Sequence, residues 1–214
     1  MKNTVLFDLD GTLVNSLYDL CDAANYMLNK LGLPGRSLEE VRSFVGNGID
    51  MLVRRSAGNI PFDFDRAMTY FREYYNGNLC SKTVPYEGIY DALDALKEKG
   101  FKLGVVTNKA QDAAEAIVNY CFKGKFDAVV GADMSKRKKK PDPAPINYAL
   151  DIIGSDKEKA IYVGDSEVDI ETAKNTPIDF IGVTWGFRET EIFKTEKYIA
   201  STSEELVTLC CNFL

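Results

Sequence analysis

Two acidic side chains directly follow a run of bulky apolar residues near the N-terminus. The stretch VLFDLDGTLV, residues 5–14, predicts a buried strand that ends in Asp8 and Asp10. Because the two acids are two positions apart, both carboxylates leave an extended chain on the same side. Carboxylates crowded in this way repel one another unless a proton or a cation intervenes. The pair therefore indicates a site that holds a metal ion or performs acid–base chemistry.

Further polar residues follow other apolar runs. Thr107 and Asn108 end the run LGVVTN, Asp165 ends AIYVGD with Asp169 one helical turn beyond, and Lys140 lies in the loop sequence KKKPDP. The oxygen donors in this set suit Mg²⁺, which binds a few carboxylates together with water and phosphate oxygens. The set therefore predicts a magnesium site that acts on a phosphorylated substrate.

The chain contains no histidine. This excludes catalysis by Ser-His-Asp or Cys-His groups and phosphate transfer through histidine. No cysteine is followed six residues later by arginine, and no GxxxxGK[ST] sequence is present. The cysteine-phosphatase loop and the nucleotide-binding P-loop are thereby excluded as well. Acid–base chemistry must therefore be carried by Asp, Glu, Lys, Tyr or Cys.

Composition indicates a globular protein with one domain, or one domain with a modest insert. The 214 residues are 45% hydrophobic and 27% charged, and the net charge of -6 argues against a nucleic-acid partner. The five cysteines form no CxxC pair. Neither a secretory signal nor an apolar window of about 18 residues is found, so we expect a cytoplasmic protein without a membrane partner.

Short apolar runs alternate with helical patterns over most of the chain. Because the runs are apolar throughout rather than at every second position, we expect parallel strands covered on both faces. The alternation predicts an α/β protein with a doubly wound parallel sheet, in which ligands bind at the carboxyl ends of the strands. The expected strands are 4–8, 102–107, 127–131, 160–164 and 180–184.

One segment interrupts the alternation. Residues 15–83 show helical patterns alone, with Ser16 as a candidate N-cap and with Ser37 and Glu40 spaced as a capping box. We therefore expect a small helical domain at 15–83, inserted after the first strand. The remaining core would then consist of residues 1–14 and 84–214.

These motifs, in this order, resemble the four motifs of the haloacid dehalogenase superfamily of phosphohydrolases. They are FDLDGT, VVTN, the lysine of KPDP, and GDSEVD, and the match extends from Asp8 to Asp169. The sequences FVGNGIDMLVRR, YEGIYDALDALKEKG, KPDPAP and VTWGFR are most similar to the phosphoglycolate phosphatase branch. The resemblance implies a Rossmann-like core and a helical cap that closes over the active site.

The resemblance also implies roles for the acids. Asp8 would be the nucleophile that forms an aspartyl-phosphate, and Asp10 would protonate the leaving alcohol and later deprotonate water. The first of these two tasks requires a protonated Asp10 near neutral pH. Mg²⁺ would be held by Asp8, the backbone carbonyl of Asp10 and Asp165, with Asp169 supporting the metal site or its waters.

Two further groups of residues would contact the substrate. Thr107, the backbone near Asn108, and Lys140 would bind the phosphoryl oxygens; Lys138 or Lys139 would replace Lys140 only if the motif register were shifted. In the predicted cap, Gly46 and Gly48 would let the backbone approach the substrate. There Asn47 would donate hydrogen bonds, and Arg55 or Arg54 would pair with a substrate carboxylate. These cap roles rest on residue type alone.

The leading functional prediction is a Mg²⁺-dependent phosphatase for a small phosphorylated metabolite, with 2-phosphoglycolate as first candidate. Pyrophosphate and nucleoside monophosphates are alternative substrates. A phosphomutase resembling the β-phosphoglucomutase branch is a second possibility, and a non-catalytic phospho-regulatory module is a third. The sequence is compatible with a monomer or a homodimer.

Overall fold

The computed structural model describes residues 1–213, and its centre is a sheet of six parallel strands in the order β5-β4-β1-β6-β7-β8. A separate antiparallel pair joins β2 to β3. In chain order the elements are β1 (Thr4–Phe7), β2 (Val14–Asn15), α1 (Leu17–Lys30), α2 (Leu38–Phe44), α3 (Ile49–Ala57), α4 (Phe64–Gly77), β3 (Val84–Pro85), α5 (Ile89–Glu98), β4 (Lys102–Ala110), α6 (Gln111–Phe122), β5 (Ala128–Ala132), α7 (Ala144–Ile153), β6 (Ala160–Gly164), α8 (Glu167–Asn175), β7 (Asp179–Val183), β8 (Ile199–Ala200) and α9 (Ser203–Cys211).

Alternate side chains of each central strand enter two different apolar layers. In β1, Val5 and Phe7 pack with residues of α5, α6 and α9, whereas Leu6 packs with residues of α7 and α8. β6 repeats the pattern, with Ile161 in the first layer and Tyr162 in the second. Both faces of the sheet are therefore covered by helices, which confirms the predicted doubly wound α/β fold.

All five predicted strands are present, and three short strands were not predicted. β4 runs on to Ala110, beyond the predicted end at residue 107, and its pairing with β5 changes register between Val106 and Ala110. The missed strands β2, β3 and β8 have two residues each. Two residues are too few to show a period, so the sequence pattern carried no signal for them.

Residues 15–83 contain the four helices α1–α4, which enclose an apolar cluster of their own. The capping box of Ser37 and Glu40 at the start of α2 is present. Ser16 occupies the N-cap position of α1, but its hydroxyl donates to Asp10 Oδ1 instead of capping the helix. We retain the division into a core (1–14 and 84–214) and a cap (15–83) as a proposal, and use the two terms in that sense.

The two chain segments that join core and cap pair with each other. β2 and β3 pair Val14 with Pro85. Nearby, Asp19 of α1 is 1% exposed and accepts hydrogen bonds from Lys82 N at 3.0 Å, Thr83 N at 2.8 Å and Thr83 Oγ1 at 2.7 Å. Removal of this buried acceptor would leave the donors of Lys82 and Thr83 unpaired, so Asp19 strongly stabilises the junction between core and cap.

Asp19→Asn should lower the free energy of unfolding by about 2–3 kcal/mol, because the amide nitrogen would face backbone donors. Asp22→Asn is the matched control on the same helix. Asp22 forms an ion pair with the half-exposed Lys82 at 2.5 Å, and such surface pairs contribute below about 1 kcal/mol. Urea unfolding of both variants measures the difference, and equal effects would contradict the assigned role of Asp19.

Candidate active site

A tight turn after β1 presents the first two acids at the carboxyl edge of the sheet. Leu9 O accepts a hydrogen bond from Leu13 N at 3.0 Å, and Gly11 has a φ of +89°. This backbone conformation is accessible to glycine at little cost. The turn leaves the side chains of Asp8 and Asp10 in the wall of one cavity.

Lys140 is the central cation of the site. Its ammonium lies 2.9 Å from Asp8 Oδ1 and 2.8 Å from Asp169 Oδ1, and it donates to Tyr162 Oη at 2.7 Å. The side chain is 1% exposed. Burial acts to lower the pKa of Lys140, but the carboxylates of Asp169 and Asp8 outweigh it and raise that pKa. Lys140 therefore stays charged beside the predicted nucleophile.

Asp169 positions Lys140. Its Oδ1 accepts from Lys140 and, at 2.7 Å, from Tyr162, while its Oδ2 accepts from Ser166 N at 3.1 Å and Ser166 Oγ at 2.6 Å. Burial would raise the pKa of Asp169, but the charge and hydrogen bond of Lys140, with the hydroxyls of Ser166 and Tyr162, hold it below its usual value. Both oxygens are therefore already occupied by protein donors.

Asp165 lies in a cradle made by two glycines. Its Oδ2 accepts from Phe187 N at 2.7 Å, and its Oδ1 accepts from Thr12 Oγ1 at 3.3 Å. A Cβ at Gly11 would lie 2.3 Å from Asp165 Oδ2, and one at Gly186 would lie 2.3 Å from Asp165 Cβ. Only glycine leaves room for the carboxylate on both sides, so these positions are required by the site.

The acids carry more negative charge than the protein neutralises. One oxygen each from Asp8, Asp165 and Asp169 lies within 4.8 Å of the others. Asp8 Oδ1 is buried and accepts no well-aligned hydrogen bond, even from its ion-pair partner Lys140. Burial raises the pKa of Asp8 to about 6, and burial with the charges of Asp169 and Asp8 raises that of Asp165 well above its usual value.

These observations fit a divalent cation. Burying carboxylates without a sufficient counter-charge is costly, and a hard cation with oxygen ligands removes that cost. Each oxygen of Asp165 accepts one hydrogen bond from the protein, whereas each oxygen of Asp169 accepts two. Asp165 and Asp8 therefore have more lone-pair capacity left for a cation than Asp169 has. In this arrangement Asp8 and Asp165 could hold the cation directly, and Asp169 could support the site through Lys140.

Asp10 is engaged by a lysine that the sequence analysis did not identify. Lys109 Nζ lies 2.9 and 3.1 Å from the two oxygens of Asp10, and Ser16 Oγ donates to one of them. Asp10 is thus held by two donors from different parts of the chain, one from β4 and one from the start of the cap. Its role as acid and base stays a prediction.

The predicted phosphate-binding residues lie beside these acids. Thr107 and Asn108 are buried, at 3% and 6% exposure, and both line the cavity. Asn108 Nδ2 donates to Gly46 O at 3.2 Å and to Lys140 O at 3.1 Å. Asn108 thus connects the glycine loop of the cap to the loop that carries the central lysine.

The cap residues predicted for specificity lie elsewhere. Arg55 donates to Phe44 O at 2.9 Å within the cap, and the guanidinium of Arg54 stacks on the Phe64 ring at 3.8 Å. Asn47 is held through its carbonyl oxygen, which accepts from Lys139 at 2.7 Å. None of these side chains lines the cavity, so their predicted contacts would require the cap to rearrange.

The lysines at the end of the basic run KRKKK contact different partners. Lys138 is 80% exposed and lies 3.7 Å from Asp142, Lys139 reaches the cap, and only Lys140 meets the acids. Lys140 is therefore the member of this run that we propose as the motif lysine.

The loop after β7 connects the cap to Asp165. Phe187, whose N–H bonds Asp165, packs its ring into the apolar cluster of the cap. Arg42 of the cap donates to Phe187 O at 2.8 Å, and Arg188 donates to Val45 O at 2.6 Å. A movement of the cap would therefore act directly on the backbone that orients Asp165.

Asp165→Asn should stabilise the metal-free protein, and should do so more at about pH 7.5 than at about pH 5. The folded pKa of Asp165 is raised far above 3.8, so native protein keeps a proton that the unfolded chain has lost. Stability is therefore lost as pH rises above the unfolded value, and asparagine avoids that loss.

Thermal unfolding midpoints measure this effect, with the exposed Asp151→Asn as control. Millimolar Mg²⁺ should give the wild-type chain the higher unfolding midpoint, because it should stabilise that chain more than the Asp165→Asn variant. A midpoint difference that is independent of both pH and Mg²⁺ would contradict the assignment.

None of the helices within residues 1–213 is long and apolar enough to span a bilayer.

Comparison with known proteins identifies the family. The family model for haloacid dehalogenase-like hydrolases matches residues 5–183. A phosphoglycolate phosphatase of Aquifex aeolicus is 37% identical over 184 residues, which cover 86% of this chain and 85% of the relative. One from Psychrobacter arcticus is 36% identical over 196 residues, covering 87% and 85%. The crystal structure of a predicted phosphoglycolate phosphatase from Haemophilus somnus 129PT has a TM-score of 0.90 at 31% identity, with 98% of each chain covered. The chain thus belongs to the haloacid dehalogenase-like hydrolases and is a phosphoglycolate phosphatase-like enzyme within that family.

Proposed function

We propose that this enzyme hydrolyses 2-phosphoglycolate in a Mg²⁺-dependent reaction through an aspartyl-phosphate on Asp8. The observation that carries the mechanism is the buried pair of Asp8 and Lys140, 2.9 Å apart, beside a second carboxylate, Asp165, that can hold a metal. The substrate is supported by the relatives named phosphoglycolate phosphatase. We further propose a cytoplasmic location, which the five free cysteines favour.

In the first half of the reaction, an Asp8 carboxylate oxygen attacks phosphorus. The bond from phosphorus to the glycolate oxygen breaks, that oxygen takes the proton carried by Asp10, and the phosphoryl group stays on Asp8. Lys140 and the hydroxyl of Thr107 are positioned to bind the non-bridging oxygens, where negative charge is concentrated. Because Asp169 and Tyr162 fix Lys140 before substrate arrives, little reorganisation is needed at the moment of reaction.

In the second half, Asp10 takes a proton from the water that attacks the phosphorus of the aspartyl-phosphate. Lys109 and Ser16 hold the carboxyl group of Asp10 in place for this step. The proton taken from water is the one that Asp10 gives to the leaving alcohol in the next turnover. Phosphate leaves, and Asp8 is regenerated as a carboxylate.

Mg²⁺ would be held by the side chains of Asp8 and Asp165 and by the backbone carbonyl of Asp10. When bound, it would supply positive charge that keeps Asp8 ionised and offsets the charge of the phosphoryl group. The raised pKa values of Asp8 and Asp165 support this requirement, because both acids lack a sufficient counter-charge among the protein groups.

Asp8→Asn should reduce the release of phosphate from 2-phosphoglycolate by a factor on the order of 10⁴ or more, because the nucleophile is lost. Asp151→Asn, at an exposed position on α7, is the control and should retain wild-type rates. The assay measures phosphate with and without Mg²⁺. Substantial release by Asp8→Asn would refute the nucleophile, and wild-type protein that isomerises a sugar phosphate without releasing phosphate would favour a mutase.

Lys140→Met should lower kcat by about 10²- to 10³-fold, since it removes a preorganised charge from the phosphoryl site. Lys138→Met, in the same basic run but 80% exposed, should leave kcat unchanged. Steady-state kinetics on both variants test the register of the motif. If Lys138→Met lost as much activity as Lys140→Met, the central role of Lys140 would be wrong.

A further inference from the structure

One buried cation has no part in phosphoryl binding. Lys109 follows the phosphate-binding residues Thr107 and Asn108 on β4, and its side chain is 2% exposed. Its ammonium pairs with both oxygens of Asp10. A lysine ammonium has three N–H donors, so one remains beyond the two directed at Asp10, on the side where the Tyr75 hydroxyl approaches.

Lys109 faces the cavity between cap and core. The cap contributes apolar side chains and glycine backbone to this cavity, and the core contributes the acids, Thr107, Asn108 and Lys109. Among the described lining residues, Lys109 is the single positively charged side chain. The apolar lining residues of the cap are Leu20, Val45, Ile49 and Leu52.

Two buried polar atoms near Lys109 lack partners. Tyr75 of α4 is 3% exposed, and its ring centroid lies 5.1 Å from Lys109 Nζ. Its hydroxyl makes no well-aligned hydrogen bond, although it is close enough to the Lys109 ammonium to help raise the pKa of that lysine. Asn108 Oδ1 is likewise buried without a donor. Burial raises the pKa of Tyr75 to about 12, so its hydroxyl keeps its proton and remains a donor. Buried polar atoms are rarely left unpaired, and a hydroxyl without a partner beside a cation indicates that an anionic acceptor is missing.

We propose that Lys109 and the Tyr75 hydroxyl bind the carboxylate of a short phosphorylated hydroxy acid, and so select substrates that are charged at both ends. This inference rests on the proposed function and deepens it by naming the residues that recognise the end remote from phosphorus. In this proposal Lys109 and Tyr75 take the carboxylate-binding role that residue type predicted for Arg54 or Arg55, both of which are held away from the cavity. Lys109 and Ile49 line both this cavity and a neighbouring one that Tyr75 lines. The subsite therefore lies where the two cavities meet and is shared between core and cap.

The closeness of Lys109 to Asp10 agrees with this placement. Asp10 serves the oxygen that leaves phosphorus, and in 2-phosphoglycolate the carboxylate is separated from that oxygen by one methylene group. A cation that touches Asp10 is therefore within reach of that carboxylate. A substrate with a neutral end would leave both the free N–H of Lys109 and the Tyr75 hydroxyl without an acceptor.

The test compares two substrates that differ only at that end, 2-phosphoglycolate and 2-hydroxyethyl phosphate. Wild-type enzyme should prefer 2-phosphoglycolate in kcat/KM. Lys109→Gln should reduce that preference about 10- to 100-fold, the usual effect of losing a charge-assisted hydrogen bond. Lys109→Arg, which keeps the charge, should retain most of the preference. Tyr75→Phe, which removes only the hydroxyl, should reduce the preference about 3- to 10-fold.

A purely structural role for Lys109 gives a different result. If Lys109 only positions Asp10, then Lys109→Gln will lower kcat/KM for both substrates by the same factor and leave the preference intact. That result would overturn the proposal, and so would a wild-type enzyme without any preference. Thermal unfolding midpoints check that each variant is folded.

Binding without turnover separates this proposal from the proposed function. In the Asp8→Asn background, calorimetry with 2-phosphoglycolate and 2-hydroxyethyl phosphate should show the same preference, and adding Lys109→Gln should remove it. That outcome supports the subsite even if wild-type protein hydrolyses neither compound, which would refute the proposed function alone. An unchanged binding preference after Lys109→Gln would overturn the subsite.

Discussion

The site is built around an excess of buried negative charge. Asp8, Asp165 and Asp169 lie within reach of one another, and Lys140 is the one described cation that contacts this group. Burial of so many charges is tolerated only where a counter-charge is supplied from outside. Neighbouring residues position these groups. Tyr162 and Ser166 hold Asp169, which contacts Lys140. Gly11 and Gly186 leave room for Asp165.

The cap contacts the acid cluster through direct hydrogen bonds and side-chain packing. Phe187 bonds Asp165 through its N–H and packs its ring among the apolar side chains of the cap. Asn108 bridges the cap glycine loop and Lys140 O. Where the chain passes between core and cap, Ser16 donates a hydrogen bond to Asp10, and Asp19 accepts one from Thr83 N. The position of the cap and the orientation of Asp165 and Asp10 therefore depend on one set of hydrogen bonds.

Sequence patterns predicted the fold and the meeting of the motif residues because both follow from simple physics. Apolar runs specify covered parallel strands, and carboxyl ends of parallel strands share one edge. Tyr162 was missed because a tyrosine inside an apolar strand is indistinguishable from an ordinary core residue. Lys109 was missed because it lies where β4 changes register against β5. The orientation of Arg55 depends on how the cap helices pack, which residue type does not encode.

Calorimetric titration of Mg²⁺ into the metal-free protein, in buffers of different ionisation enthalpy, tests the central electrostatic claim most directly. Because burial and neighbouring acids raise the pKa of Asp165 well above its usual value and burial raises that of Asp8 to about 6, binding must displace protons that the acids hold in the absence of metal. The account predicts one bound Mg²⁺ and release of about one proton per chain near neutral pH. Absence of Mg²⁺ binding, or binding without proton release, would contradict it.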